Sequence, residues 1–81
     1  MSDVYASRYQ FLLKQLIKTR EKAGLTQLEV ATKLNKPQSY ISKIELGERK
    51  IDFIEMEDLC RIYNLPITNF TTIGGKEENK P

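Results

Sequence analysis

The chain contains no histidine and no tryptophan, and Cys60 is the single cysteine among its 81 residues. Without histidine, neither a Ser-His-Asp triad nor a Cys-His pair can form, and metal sites of the His/Cys type are excluded too. One cysteine cannot make a disulfide within the chain, which is typical of proteins in a reducing cytoplasm. We therefore expect a cytoplasmic protein that is not an enzyme and needs no metal or cofactor.

Long apolar segments are also missing. The longest apolar runs fall far short of the roughly 20 residues that a membrane helix requires, and the N-terminus lacks an apolar signal core. We expect neither a membrane partner nor export. The length suits one domain, which at this size buries only about 60–65% of its unfolded surface and is marginally stable alone.

Three features that could suggest chemistry have simpler explanations. Four acidic residues cluster within residues 52–58, but the first turn of a helix favours acidic side chains for electrostatic reasons. The glycine pair at 74–75 lacks the strand and helix that flank a phosphate-binding loop. Cys60 falls at core spacing, and a free cysteine is usually a small buried apolar residue.

The net charge is only +2, but it is unevenly distributed. From Lys14 to Lys50, nine basic residues stand against four glutamates, whereas residues 51–58 carry a charge of −4. One basic half indicates a polyanionic partner, with a solvated basic surface as the alternative.

The apolar residues recur at helical spacing, and no segment keeps a strand-like alternation, so we predict an all-α fold of five helices. The first helix is expected at about residues 7–23, before Gly24, which suits a left-handed cap. Thr26 and Glu29 form a capping-box pattern at the start of the second helix, which ends near Leu34.

A tight turn at Asn35 and Lys36 follows, because asparagine tolerates a left-handed backbone. Pro37 suits the first turn of a third helix, which ends at Gly47. Asp52 caps a fourth helix, and Pro66 opens a short fifth helix or turn. The domain therefore spans residues 1–72, and residues 73–81 are predicted to be a disordered tail because "GGKEENKP" at 74–81 has no apolar residue.

Two short helices joined by a tight turn form the helix-turn-helix geometry, in which the second helix enters the major groove of DNA. The outward side of the third helix carries polar residues that suit base edges, since glutamine can pair with adenine, lysine with guanine and serine with either. These are Gln38, Ser39, Ser42 and Lys43. The alternative is that they are ordinary exposed polar residues.

The stretch "AGLTQLEVATKLNKPQSYISKIELGER", residues 23–49, resembles the phage repressor and Cro (XRE-type) family of helix-turn-helix proteins. The resemblance covers about residues 8–70. Its features are Arg20, "AGLTQ" at 23–27, Ala31, Leu34, "YIS" at 40–42, Ile44, Glu45 and Gly47. In size and in "SYIS" the chain also resembles controller proteins of restriction–modification systems. Leu28 and Leu46 depart from the family, where most relatives have a polar residue, and Asn35 stands where many have glycine.

The resemblance implies a sequence-specific transcriptional regulator that binds palindromic operator DNA as a homodimer through a recognition helix at about residues 38–45. It implies that Gln27 contacts phosphate, and that Arg20 and Glu45 form a partly buried ion pair between the first and third helices. Next to the recognition helix, Tyr40, Arg49 and Lys50 are further candidates for phosphate contact. The alternative for Arg49 and Lys50 is a solvated basic pair.

Apolar residues crowd the C-terminal end and predict an isologous dimer centred on Phe70. The expected interface contains Tyr63, Leu65, Ile67 and Phe70, with Ile73 close by. Alternatively, some of these residues fold back on Val4 and Tyr5. Two other functions remain open: an antitoxin-like module that masks a toxin and autoregulates, and an RNA binder, although the sequence lacks an aromatic platform for unstacked bases.

Overall fold

The computed structural model describes residues 3–71, with side chains from Ala6 onward, and this part of the chain is all-helical. The elements are four α-helices and one 3-10 helix: α1 (Asp3–Lys22), α2 (Gln27–Lys33), α3 (Gln38–Leu46), α4 (Phe53–Tyr63) and the 3-10 helix Ile67–Phe70. The all-α class is confirmed, and α1 begins earlier than predicted. The tail at 73–81, Ile73 and the side chains of Val4 and Tyr5 lie outside the described residues.

The predicted fifth helix is a 3-10 helix of only four residues. It is closed by a short-range bond from the Asn69 N–H to the Pro66 carbonyl at 3.0 Å. Four residues are too few for a run of α-helical bonds, and such short pieces commonly take the tighter 3-10 form. The described chain therefore has four α-helices where five helices were predicted.

Both predicted capping boxes are confirmed. The Thr26 hydroxyl accepts from the Glu29 N–H at 3.0 Å, and the Glu29 carboxylate accepts from the Thr26 N–H at 2.8 Å. Asp52 and Glu55 repeat this exchange at the start of α4, at 2.7 and 3.0 Å. Each box satisfies two backbone N–H groups that have no partner inside the helix.

Left-handed residues end the helices and set the turns between them. Asn35, in the turn between α2 and α3, has φ 63°, and Gly47, after α3, has φ 82°. The positive φ favours glycine at position 47, and a Cβ there would lie 3.2 Å from Leu13 Cδ1, so that the leucine side chain would have to shift slightly. Asn64 ends α4 in the same conformation, with φ 59°.

The core is built from one face of every helix. Its buried members are Leu13, Leu16, Val30, Ala31, Ile41, Ile44, Met56, Leu59, Cys60, Tyr63 and Phe70. The 3-10 helix packs against α1 and α4, and α3 packs against α1 and α2. As a result α3 is held from behind by the rest of the domain while its other side faces outward.

Phe70 and Tyr63 belong to this single-chain core, with exposed fractions of 6% and 8%. Burial raises the pKa of Tyr63 to about 12. A ring that is already covered by its own chain has little area left for a second copy to bury. The placement of Phe70 at the centre of a dimer interface therefore stays a prediction that its burial does not favour. Leu65 and Ile67 are only partly buried.

None of the helices within residues 3–71 combines the length and the hydrophobicity that are needed to cross a bilayer.

Candidate nucleic-acid interface

The α3 helix has one buried side and one exposed polar side. Ile41 and Ile44, each 1% exposed, fix it to the core. Gln38, Ser39 and Lys43 are exposed, whereas Ser42 is partly buried. At about 100° per residue, these four positions fall within an arc of roughly 140° on one side of the helix. The structure therefore brings the four predicted base-contacting residues together on the outer side of α3, with Ser42 the least accessible of them.

Arg20 and Glu45 join α1 to α3 through a two-bond ion pair, the geometry that the family resemblance implied. Arg20 Nε donates to Glu45 Oε2 at 2.7 Å and Arg20 Nη2 donates to Oε1 at 3.0 Å. The side chains are 13% and 6% exposed. The bond to Glu45 raises the pKa of Arg20 against the opposing effect of burial. Arg20 Nη1 also donates to the Leu25 carbonyl at 3.0 Å, which fixes the loop before α2.

A chain of amides extends from this ion pair to the exposed face. Gln27 Nε2 donates to Glu45 Oε1 at 2.8 Å, and Gln38 Nε2 donates to Gln27 Oε1 at 3.3 Å. Gln27, predicted only as a phosphate contact, thus also links α2 to the first residue of α3. Sequence reasoning missed this link, although a glutamine at the first position of both α2 and α3 was its visible signal.

Tyr40, in the first turn of α3, has two cations near its ring. Lys36 Nζ lies 5.1 Å from the ring centroid and Arg49 Cζ lies 5.0 Å from it. Burial raises the pKa of the Tyr40 hydroxyl, as does the charge of Glu55, while Arg49 acts in the opposite direction. The hydroxyl is therefore protonated at neutral pH. Lys36 was not among the predicted site residues.

Glu55 fixes Arg49 as well as capping α4. Arg49 Nη2 donates to Glu55 Oε2, and the side chains are 44% and 15% exposed. Burial alone would raise the pKa of Glu55, but the bonds from the Asp52 N–H and from Arg49 outweigh it, so this pKa is lowered. Arg49 is thus held by an ionised carboxylate beside the Tyr40 ring.

Lys50 lies on a second tyrosine, which sequence reasoning did not single out. Lys50 Nζ is 4.9 Å from the centroid of the Tyr9 ring. The hydroxyl of Tyr9 accepts from the Ile51 N–H at 3.1 Å. Tyr9 belongs to α1, 42 positions away from Ile51, so no local pattern could have shown this contact.

Both leucines that depart from the family are exposed. Leu46, the last residue of α3, is 67% exposed, and Leu28 on α2 is 56% exposed. Neither contributes to the core, so both are part of the outer surface of the helix-turn-helix unit.

Comparison with known proteins agrees with this geometry. Residues 16–70 match the helix-turn-helix family HTH_3. A solved structure, an XRE-family like protein from Pseudomonas syringae pv. tomato str. DC3000, is 38% identical to this chain with a TM-score of 0.80. The match covers 96% of this chain and 93% of that one. No curated protein matches. The chain therefore belongs to the XRE-type helix-turn-helix family of DNA-binding regulators.

Proposed function

We propose that this protein is a transcriptional regulator that binds a specific palindromic DNA sequence as a homodimer, with α3 in the major groove. The observation that carries the proposal is the two-sided character of α3. Its inner side is anchored by Ile41 and Ile44, while its outer side presents Gln38 and Lys43 to solvent. A rigid helix with exposed amide and ammonium groups is what direct reading of base edges requires.

Gln38 is oriented for this task before DNA arrives. One of its two amide hydrogens is directed at Gln27, which in turn is fixed by Glu45. The other amide hydrogen and the carbonyl oxygen remain, and these are the two groups that pair with N7 and N6 of adenine. A side chain already held in place loses less entropy on binding.

The phosphate contacts come from groups that flank α3. Gln27 keeps one amide hydrogen for a phosphate oxygen, and the exposed Arg49 and Lys50 follow α3 along the chain. Contacts of this kind fix the register of a protein on the duplex and carry no sequence information themselves.

Substitutions on the outer side of α3 test the proposal, once a DNA site that the parent protein prefers has been selected from random duplex DNA. We expect Lys43→Ala and Gln38→Ala each to weaken binding to that site by about 1–3 kcal/mol and to relax the base preference. Gln27→Ala is expected to weaken binding to selected and unrelated DNA alike through the lost phosphate contact, with a smaller additional loss on the selected site because Gln38 loses its bond to Gln27.

The matched control is Lys14→Ala, which removes the same charge from an exposed position on α1. It should leave the base preference unchanged. If Lys43→Ala binds the selected site as Lys14→Ala does, α3 is not the reading helix.

Dimerisation follows from the size of the reading surface. One short α3 reads only a few base pairs, too few for specificity among the competing sites of a genome. Two copies related by a two-fold axis double the number of base pairs that are read, and they place their α3 helices roughly 34 Å apart, which is one turn of DNA. With Phe70 in the core, we propose that Leu65 and Ile67 carry this contact, next to a shallow groove of about 370 Å³ between α1 and the chain after α4.

Sedimentation tests this surface. We expect the parent chain to sediment as a dimer at high micromolar concentration and Ile67→Glu to sediment as a monomer, because a carboxylate would be buried without a partner. Phe53→Glu is the control, since Phe53 is 61% exposed at the other end of α4, and it should dimerise like the parent. A monomeric parent, or a folded Ile67→Glu that dimerises equally well, would exclude the contact.

A further inference from the structure

The loop between α3 and α4 places two consecutive cations on two tyrosine rings from different helices. Arg49 lies 5.0 Å from the ring centroid of Tyr40, on α3, and Lys50 lies 4.9 Å from that of Tyr9, on α1. Lys36, before α3, shares the ring of Tyr40 at 5.1 Å. Two tyrosine rings thus contact three cations, one before α3 and two after it.

Tyr9 and the carboxylate of Glu55 also fix the loop itself. Tyr9 accepts the Ile51 N–H, which ties the backbone of the loop to α1. Glu55 holds Arg49 with one carboxylate oxygen and caps α4 with the other. Loops are usually more mobile than the helices that they connect. The long side chains of basic residues also lose much conformational freedom when they are held in one position.

The three cations nevertheless stay at the surface. Lys36, Arg49 and Lys50 are all exposed, and exposed cation–π contacts are individually weak. Stabilisation of the fold is therefore a minor benefit of placing them on the rings. Holding cations in place before a polyanion binds is the greater benefit, because the entropy of ordering them is then not lost on association.

We propose that Tyr9 and Tyr40 are positioning residues that hold Lys36, Arg49 and Lys50 as a preformed surface for the phosphates of duplex DNA. The proposal rests on the DNA-binding function proposed above. It gives Tyr40 a positioning role in place of the direct phosphate contact predicted from the sequence. A guanidinium has five N–H groups, so Arg49 can keep its bond to Glu55 and still bind a phosphate.

DNA binding measured over a range of salt concentrations tests the role of the rings. We expect Tyr40→Leu and Tyr9→Leu each to weaken binding about three- to tenfold, to selected and unrelated DNA alike, because positioning of phosphate contacts is lost. Tyr40→Phe keeps the ring and should stay within about twofold of the parent. Tyr9→Phe keeps the ring but removes the acceptor of the Ile51 N–H, so its affinity should lie between those of the parent and of Tyr9→Leu. A Tyr40→Phe loss as large as that of Tyr40→Leu would overturn the positioning role in favour of direct hydroxyl contact.

A double-substitution cycle separates positioning from a general structural effect. An Arg49→Ala, Lys36→Ala background removes both cations that the described residues place near the Tyr40 ring. We expect Tyr40→Leu to weaken binding further by less than about twofold there, since the coupled groups act as a unit. An undiminished loss in that background would show that the ring acts by other means and would overturn the proposal.

The contacts can also be measured without DNA, which matters if a leucine variant is unstable. A ring over a methylene group shifts its proton resonances upfield. In the free parent we expect upfield-shifted ε-methylene protons for Lys36 and Lys50, retained in the phenylalanine variants. Ordinary lysine shifts in the parent would overturn the proposal.

The binding data also distinguish the two proposals. If Lys43→Ala weakens binding to the selected DNA and the leucine variants do not, only the positioning role fails. If the parent shows no salt-dependent DNA binding at all, the proposed function fails with it.

Discussion

Arg20→Met should lower the free energy of unfolding by about 3–5 kcal/mol, a large share of what a domain of this size has. The substitution leaves the Glu45 carboxylate, 6% exposed, with a single bond from Gln27. It also removes the donor to the Leu25 carbonyl. Urea unfolding followed by circular dichroism measures the change, provided that the free energy of unfolding falls with urea concentration at the same slope in the variant and in the parent.

The chain contains its own control for this experiment. The ion pair between Arg61 and Asp58 lies on the surface, with side chains 73% and 37% exposed, so Arg61→Met should change stability by no more than about 0.5 kcal/mol. Replacing both buried partners, as in Arg20→Met with Glu45→Leu, should recover much of the loss because no unpaired charge remains. Equal effects of Arg20→Met and Arg61→Met would contradict the structural role of the buried pair.

Phe70→Ala is the second substitution with a large expected effect, about 3–5 kcal/mol. The ring is 6% exposed in a 3-10 helix that packs on α1 and α4, so its removal leaves a cavity beside these helices. Phe53→Ala removes an equal ring that is 61% exposed and should stay within about 0.5 kcal/mol of the parent. Thermal unfolding of the three chains measures both effects.

The effect of Phe70→Ala on stability and on dimerisation also shows whether Phe70 belongs to the core of one chain or to an interface between two copies. If Phe70→Ala unfolds like the parent but no longer dimerises, the ring belongs to an interface between copies, as the sequence had suggested. If it is destabilised even at concentrations where the parent is monomeric, the ring belongs to the core.

The helix-turn-helix unit could be predicted because its determinants are local. A capping box involves residues three positions apart, such as Thr26 and Glu29, and the left-handed turn at Asn35 depends on that residue alone. The inner side of α3 follows from helical spacing of Ile41 and Ile44. Such features are visible in any short window of sequence.

The contacts that shape the candidate site were less accessible because they join distant positions. Arg20 and Glu45 are 25 positions apart and were paired only through the resemblance to a family. The Tyr9 contact spans 42 positions and had no such precedent. For Phe70, apolar character shows that a side chain will be covered, but not whether its own chain or a second copy covers it.

Selection of binding sites from random duplex DNA, by the parent and by Lys43→Ala in parallel, tests the central claim most directly. We expect the parent to enrich a two-fold symmetric sequence whose half-sites are centred one helical turn apart, roughly 10 base pairs. Lys43→Ala should enrich a related sequence that has lost its preference at one position in each half-site. No enriched sequence from the parent, or identical preferences from both proteins, would contradict sequence reading by α3.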